Sequence, residues 1–392
     1  MHSAFRAIGI VRCTLLAHLL TQFFLYKAWT SDRLFPTLSV FSFTKKLQEE
    51  TPLILYSIGI LLTLVLLWKP LWKLGLGLWI GIIVLSWGWD FVFWQPYTYF
   101  FLSIVVIQFF SKTSEQFWIR CLLLLAALYL FSGLHKINGA FLNTVWDPYF
   151  LKKLFGITSS DFFFLIFHYA GLLVGLIEIL LGVGLLFQRT RLWAFRGLVI
   201  MHLLIILGLS PIGLFSNEVV VPWNLTLLFI NAQGCLSPKM RYFANPWQLE
   251  LKKQIFFVLC FWILPIFGIF GYYNRYFSFD VYSGKGTSIF IVFEKPNDCP
   301  NPLIPFLYQR KIENKNRWVV SPMRWCKREL HLVLPNDNYI LHSFVEAYQE
   351  QYPNSKGQWY LTTYPFTAQE SDWIKMGYQL QNEYIENLQK KR

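Results

Sequence analysis

Long apolar stretches recur along the first 272 residues, each bounded by a short polar or charged link. A helix that crosses a bilayer needs about 17–25 mostly apolar residues. Nine segments approach that size: Ile8–Trp29, Leu53–Trp68, Leu71–Phe93, Tyr97–Phe110, Phe117–Lys136, Asp161–Phe187, Leu192–Leu214, Val219–Ile230 and Gln254–Tyr272. After Tyr272 the pattern changes. Thr287–Glu294, Arg328–Leu334 and Gln358–Tyr364 are rich in β-branched and aromatic residues and read as strands. His342–Tyr352 and Ser371–Gln389 read as helices, the second with Ser371 or Asp372 as its N-cap. The expected fold is an all-α polytopic membrane bundle of about nine spans over residues 1–272. A small α+β extramembrane domain follows over residues 273–392.

Composition agrees. Of 392 residues, 55% are hydrophobic and 15% charged, against about 25% charged in soluble domains. This excludes a disordered chain and a secreted disulfide scaffold. The net charge of +13 arises mainly in residues 1–272, which hold 20 Lys and Arg against 10 Asp and Glu. With the N-terminus inside, 13 of those basic residues fall on inner segments and 7 on outer ones. The positive-inside rule then predicts a multi-pass cell-membrane protein with a cytoplasmic N-terminus and an extracytoplasmic tail. Arg6 and Arg12 before an apolar run resemble a signal peptide, but the following YKAWTSD has no small-x-small cleavage site, so the run is expected to stay as a first span. No basic block or nucleic-acid motif is present, and the lipid bilayer is the expected partner.

Six cysteines lie at positions 13, 121, 235, 260, 299 and 326, with no CxxC pair and no Cys/His spacing suited to zinc. Cys299 and Cys326 are the two in the tail. A disulfide between them is expected if the tail meets an oxidising compartment.

Ionisable residues inside spans are costly, which makes each a candidate for function. In the sixth segment Gly171, Gly175, Glu178 and Gly182 fall on one stripe, with His168 beside it. Small residues there permit close helix contact and turn Glu178 towards protein. Glu178 and His202 lie at similar distances on either side of a tight turn near Gln188–Thr190, so they are expected to face each other. Such a pair relays protons, binds a quinone headgroup, or satisfies itself. His18 is a further histidine within a span, and the scattered histidines predict no metal site. The fifth segment ends in LYLFSGLHKINGAFL, where Ser132, Gly133 and Lys136 share a helical face. Lys136 either snorkels to the headgroups or turns inward; in a dry pocket its neutral amine is a usable base. His135 stands beside it, and Trp146–Ile157 is an aromatic and basic segment suited to the membrane interface.

The run YLFSGLHKINGAFL and the later IEILLGVGLLFQRTRLWAFRGLVIMHLLIILGLSPIGLFS resemble the membrane domain of vitamin K-dependent gamma-carboxylase, which occurs in bacteria as the HTTM (horizontally transferred transmembrane) family. The resemblance covers about residues 5–272, the whole apolar part. It implies a base at the lysine of the Gly-x-x-Lys run, here Lys136, acting on a reduced quinone such as vitamin K hydroquinone, with His135, Glu178 and His202 as further site residues. Where that family carries an acidic–small–acidic–Trp element, this chain has Asn138, Gly139, Ala140 and Phe141. The DoxX-like membrane proteins share a similar Gly-x-x-Lys run. They imply the alternative: a non-catalytic scaffold or maturation factor whose exported tail binds a protein or peptide.

Overall fold

The computed structural model describes residues 2–41, 44, 50–209, 213, 218–236, 251–312, 315–364 and 374–376. The chain forms two compact units. The first holds residues 1–24, 54–85 and 96–283; the second holds 25–53, 86–95 and 284–392.

The apolar segments fold as helices α1 (His2–Phe24), α2 (Thr51–Trp68), α3 (Lys73–Trp89), α4 (Pro96–Phe110), α5 (Ser114–Lys136), α6 (Phe164–Leu186), α7 (Arg191–Leu209) and α8 (Val221–Leu236). A further helix, α9, begins at Leu251–Val258, widens into a π-helical turn at Leu259–Ile263 and ends at Leu264–Ile269. Among the described residues, six helices are long and apolar enough to cross a membrane. Lys73–Trp89, Pro96–Phe110 and Gln254–Ile269 are shorter apolar helices. By length and composition this is a membrane protein. The side chains agree: α6 exposes Leu165, Ile166, Leu173 and Leu180 and buries Gly171, Gly175, Gly182 and Glu178. That inside-out pattern suits lipid as the outer solvent. The first predicted span stops early, because Tyr26–Trp29 forms a separate 3₁₀ turn. The predicted interface segment forms wide π-helical turns over Leu142–Leu154.

The second unit contains an antiparallel sheet of order β2-β3-β1-β4-β5. Its strands are β1 (Gly286–Phe293), β2 (Leu307–Ile312), β3 (Lys315–Val320), β4 (Gln358–Tyr364) and β5 (Ile374–Met376). Alternation along the strands gives two faces. Phe290, Val292, Ile312, Val319 and Tyr360 pack together on one. On the other, Trp359 meets Phe344 and Tyr348 of α11 (Asn338–Gln351). Helix α10 (Pro322–Leu330) places Trp325 between Phe35, Phe306 and Phe344.

Segments 25–53 and 86–95 are built into this unit by specific bonds. Glu329 accepts from the backbone N–H groups of Leu34 and Phe35 and from Trp325 Nε1 at 2.7 Å. Asp90, fully buried, pairs with Arg33 and accepts from Leu38 N and Val92 N. Gln95 Nε2 donates to Val333 O at 2.8 Å.

Three tail expectations need correction. Arg328–Leu334 is not a strand: Ser321 caps α10 by accepting from Arg324 N, and the helix runs to Leu330 before His331 turns left-handed at φ 56°. Of the predicted helix Ser371–Gln389, Ile374–Met376 is strand β5 and the rest, with both N-cap candidates, lies outside the described residues. Cys299 and Cys326 are not joined; each is a separately buried thiol. Burial pushes the Cys299 thiol up to about 12. Cys326 is also raised, by burial first and then by the charges of Asp90 and Glu329, against an opposing pull from Arg33.

Candidate functional site

Helix α5 begins at Thr113, whose hydroxyl accepts from Gln116 N, with Glu115 in the first turn to complement the helix dipole. Its last two turns carry Ser132, Gly133, His135 and Lys136. The glycine stripe of α6 lies directly against this stretch. A Cβ built on Gly175 would stand 2.7 Å from Gly133 O, and one on Gly133 would stand 2.5 Å from Gly175 O. Two turns away, a Cβ on Gly182 would meet Leu130 N at 2.8 Å. The two helices therefore run antiparallel in backbone contact. Glu178, between Gly175 and Gly182, is buried in that seam.

Lys136 is 7% exposed and turns inward. Its ammonium nitrogen donates to Glu178 Oε2 at 2.8 Å and to Ser132 Oγ at 2.6 Å. A snorkelling lysine keeps its head in water and has no such partners. Two features read separately in the sequence, the α5 small-residue face and the α6 glycine stripe, are the two sides of one contact. An ion pair spans it.

The expected Glu178–His202 contact does not form. Glu178 bonds to Lys136, and His202 bonds elsewhere. His202 Nδ1 faces Asn224 Oδ1 at 3.0 Å, and its Nε2 faces the Tyr129 hydroxyl at 2.7 Å. Asn224 Nδ2 is engaged by Val220 O and Asn231 Nδ2 donates to Tyr129 Oη at 2.8 Å. These roles fix one direction along the chain of bonds. Asn231 donates to Tyr129, Tyr129 donates to His202 Nε2, and His202 Nδ1–H donates to Asn224. Matched depth within the α6–α7 hairpin brought Glu178 and His202 to a similar level, but α5 and α8 supply better-placed partners to each.

His135 points away from Lys136, towards residues 274–283 beyond α9. Its Nδ1 lies 3.8 Å from Asp280 Oδ2. The same carboxylate oxygen accepts from Arg275 Nε at 2.8 Å and Arg275 Nη2 at 2.6 Å. Asp280 and Arg275 escaped sequence reasoning because they lie past the last apolar run, in a segment without periodicity. Burial raises the Asp280 carboxyl, but the charges of Arg275 and His135 outweigh it and hold the group below the usual carboxylate range.

The remaining histidines of the spans do other work. His18 packs edge-on against Trp79 and Phe101. His168 Nδ1 meets Asp147 Oδ2 at 2.8 Å, and Trp146 Nε1 donates to Phe167 O, so α6 and the π-helical segment are tied together. The end of α5 thus brings together Lys136 and Glu178 on one side and His135, Asp280 and Arg275 on the other, while His202 belongs to a separate network. No family model, curated protein or solved structure matches this chain.

Proposed function

We propose that this chain is a multi-pass membrane protein of the carboxylase-like HTTM type, with nine spans, a cytoplasmic N-terminus and an extracytoplasmic α+β domain. Its end of α5 is an acid–base site for a lipid-soluble hydroxyl compound such as a reduced quinone. The observation that carries this reading is Lys136, turned inward onto Glu178 instead of outward to the headgroups. Nine spans are supported by the six long helices together with the three shorter apolar ones. The odd number is supported by connectivity: residues 25–53 after α1, 86–95 after α3 and 284–392 after α9 belong to one unit. The sidedness rests on the positive-inside rule.

The chemistry is a proton transfer. A hydroxyl brought to the couple gives its proton either to the carboxylate of an ammonium–carboxylate pair or to the amine of an amine–acid pair. Both routes end with ammonium and carboxylic acid beside the substrate's oxyanion. The ammonium then stabilises that oxyanion in a medium of low dielectric.

The test is native mass spectrometry of the protein purified from membranes, with Lys136→Arg in parallel. A co-purifying quinone in the wild type, lost in Lys136→Arg, is the expected result, since a planar guanidinium does not take the place of the compact ammonium between Glu178 and Ser132. Equal retention in both, or no quinone in either, overturns the reading. The second reading is the DoxX-like scaffold whose exported domain binds a protein or peptide. It is favoured by the mutual satisfaction of Lys136 and Glu178, which also suffices to brace two helices.

A further inference from the structure

The turn after α9 is unusual at the backbone. Phe279 has φ 59° and Tyr282 has φ 56°. A left-handed conformation costs a bulky residue about 1–2 kcal/mol, and such positions persist only where the surroundings fix them. Here they do. Asn274 Oδ1 accepts from Tyr276 N and Phe277 N, Ser278 Oγ donates to Asn274 O, and Asp280 N donates to Arg275 O. Tyr99 of α4 packs its ring against Phe277 and Phe279, at 5.0 and 5.6 Å between centroids. Asp280 sits directly after the first strained residue and two before the second, and its buried carboxylate faces His135.

We propose that Asp280 is a positioning residue of the α5 site: backed by Arg275, it holds the His135 ring with Nδ1 towards the carboxylate, so that His135 exchanges protons through Nε2. The assignment rests on the acid–base reading of Lys136 and Glu178 given above. It adds a second proton-handling group at the neighbouring residue.

The argument is geometric. The strained turn delivers a carboxylate to within ion-pair reach of a buried imidazole. Arg275 fixes that carboxylate by two bonds to Oδ2, the oxygen that lies 3.8 Å from His135 Nδ1. In the neutral ring one nitrogen carries the proton and the other accepts. Asp280 Oδ2 lies 3.8 Å from Nδ1, beyond hydrogen-bond length but close enough for its charge to favour the proton on Nδ1 and leave Nε2 as the acceptor. A proton arriving at Nε2 makes an imidazolium whose charge Asp280 offsets, and the same proton leaves from Nε2 to restore the starting ring. Asp280 stays ionised throughout, in line with its depressed titration. Among the described residues, the charged groups near His135 include Asp280 and Arg275 from the turn, Lys136 next to it on α5, and Glu178 of α6, which is engaged by Lys136.

The experiment is ¹⁵N NMR of histidine-labelled full-length protein in nanodiscs without added ligand. His135 is assigned by the signal missing from His135→Gln. At about pH 7, where an unperturbed imidazole is mostly neutral, the wild-type ring is expected to hold its proton on Nδ1 in at least about tenfold excess, a ratio worth roughly 1.4 kcal/mol. Asp280→Asn should reduce that excess towards equal populations, and Asp280→Glu should restore part of it. An Nε2–H ring in the wild type overturns the proposal and needs no variant to fold. An unchanged ratio in Asp280→Asn overturns it as well. Because no quinone takes part, a failure of quinone co-purification leaves this result standing, and the two readings fail separately.

Discussion

Along the α5–α6 seam glycines let the two backbones approach, and the buried Lys136 and Glu178 beside them form an ion pair. In the core of the second unit the buried side chains in contact include Trp325, Phe344, Tyr348 and Trp359. The difference follows from the solvent. Lipid gives apolar side chains no reason to turn inward, so α6 leaves its leucines outside and gains from backbone proximity and polar contacts within. The second unit instead gathers its aromatic rings into one cluster, the pattern expected of a core formed in water. Polar groups serve the two cores differently. Glu329 and Asp90 tie loop backbone to the second unit, whereas Lys136 and Glu178 answer each other across two helices.

The seam should be the less forgiving of the two. Gly175→Leu would push a branched side chain into Gly133 O, and we expect no folded protein by size-exclusion chromatography in detergent. Gly81→Ala of α3 is the matching control: its added methyl meets nothing within 4 Å, so stability should hold or rise by up to about 1 kcal/mol. In the second unit, Trp325→Ala leaves a cavity ringed by Phe35, Phe306 and Phe344 and should cost about 3–5 kcal/mol in thermal or denaturant unfolding. A loss under about 1 kcal/mol there would mean that the aromatic cluster does not hold the unit.

Much of the seam was legible in the sequence. The 3.6-residue period placed Gly171, Gly175, Glu178 and Gly182 on one face, and Ser132, Gly133 and Lys136 on another. What the sequence did not reveal is that these faces meet. Depth relative to a turn compares positions only within one hairpin, so it paired Glu178 with His202; Lys136 reaches Glu178 through the long connection 137–163. Strands β2 and β3 were missed because LYQRKI and KNRWVV are rich in charge, as an outer hairpin tolerates. Arg328–Leu334 alternates like a strand, yet the Ser321–Pro322 start signal upstream had already committed its first residues to α10.

Smaller effects separate the polar networks. Tyr129→Phe removes the hydroxyl shared by His202 and Asn231 and should cost about 1 kcal/mol, the scale of a hydrogen bond between membrane helices. A null effect would make that network incidental to the fold. The two tail thiols provide the mildest test. A raised thiol pKa means little thiolate at neutral pH, so Cys299, at about 12, and Cys326 should resist alkylation in the folded protein. Reactivity should grow only as pH climbs well into the alkaline range. Intact mass after alkylation of unfolded protein should count both as free thiols.

The central claim is that Lys136 and Glu178 form one buried couple, and a double-mutant cycle measures it directly. Lys136→Met and Glu178→Gln, alone and combined, are compared by unfolding in mixed micelles. Each single change strands the other partner and should cost about 3–5 kcal/mol. The double variant should recover most of one loss, for a coupling of at least about 2 kcal/mol. Additive losses, with coupling below about 0.5 kcal/mol, would contradict the couple and with it the acid–base site at the end of α5.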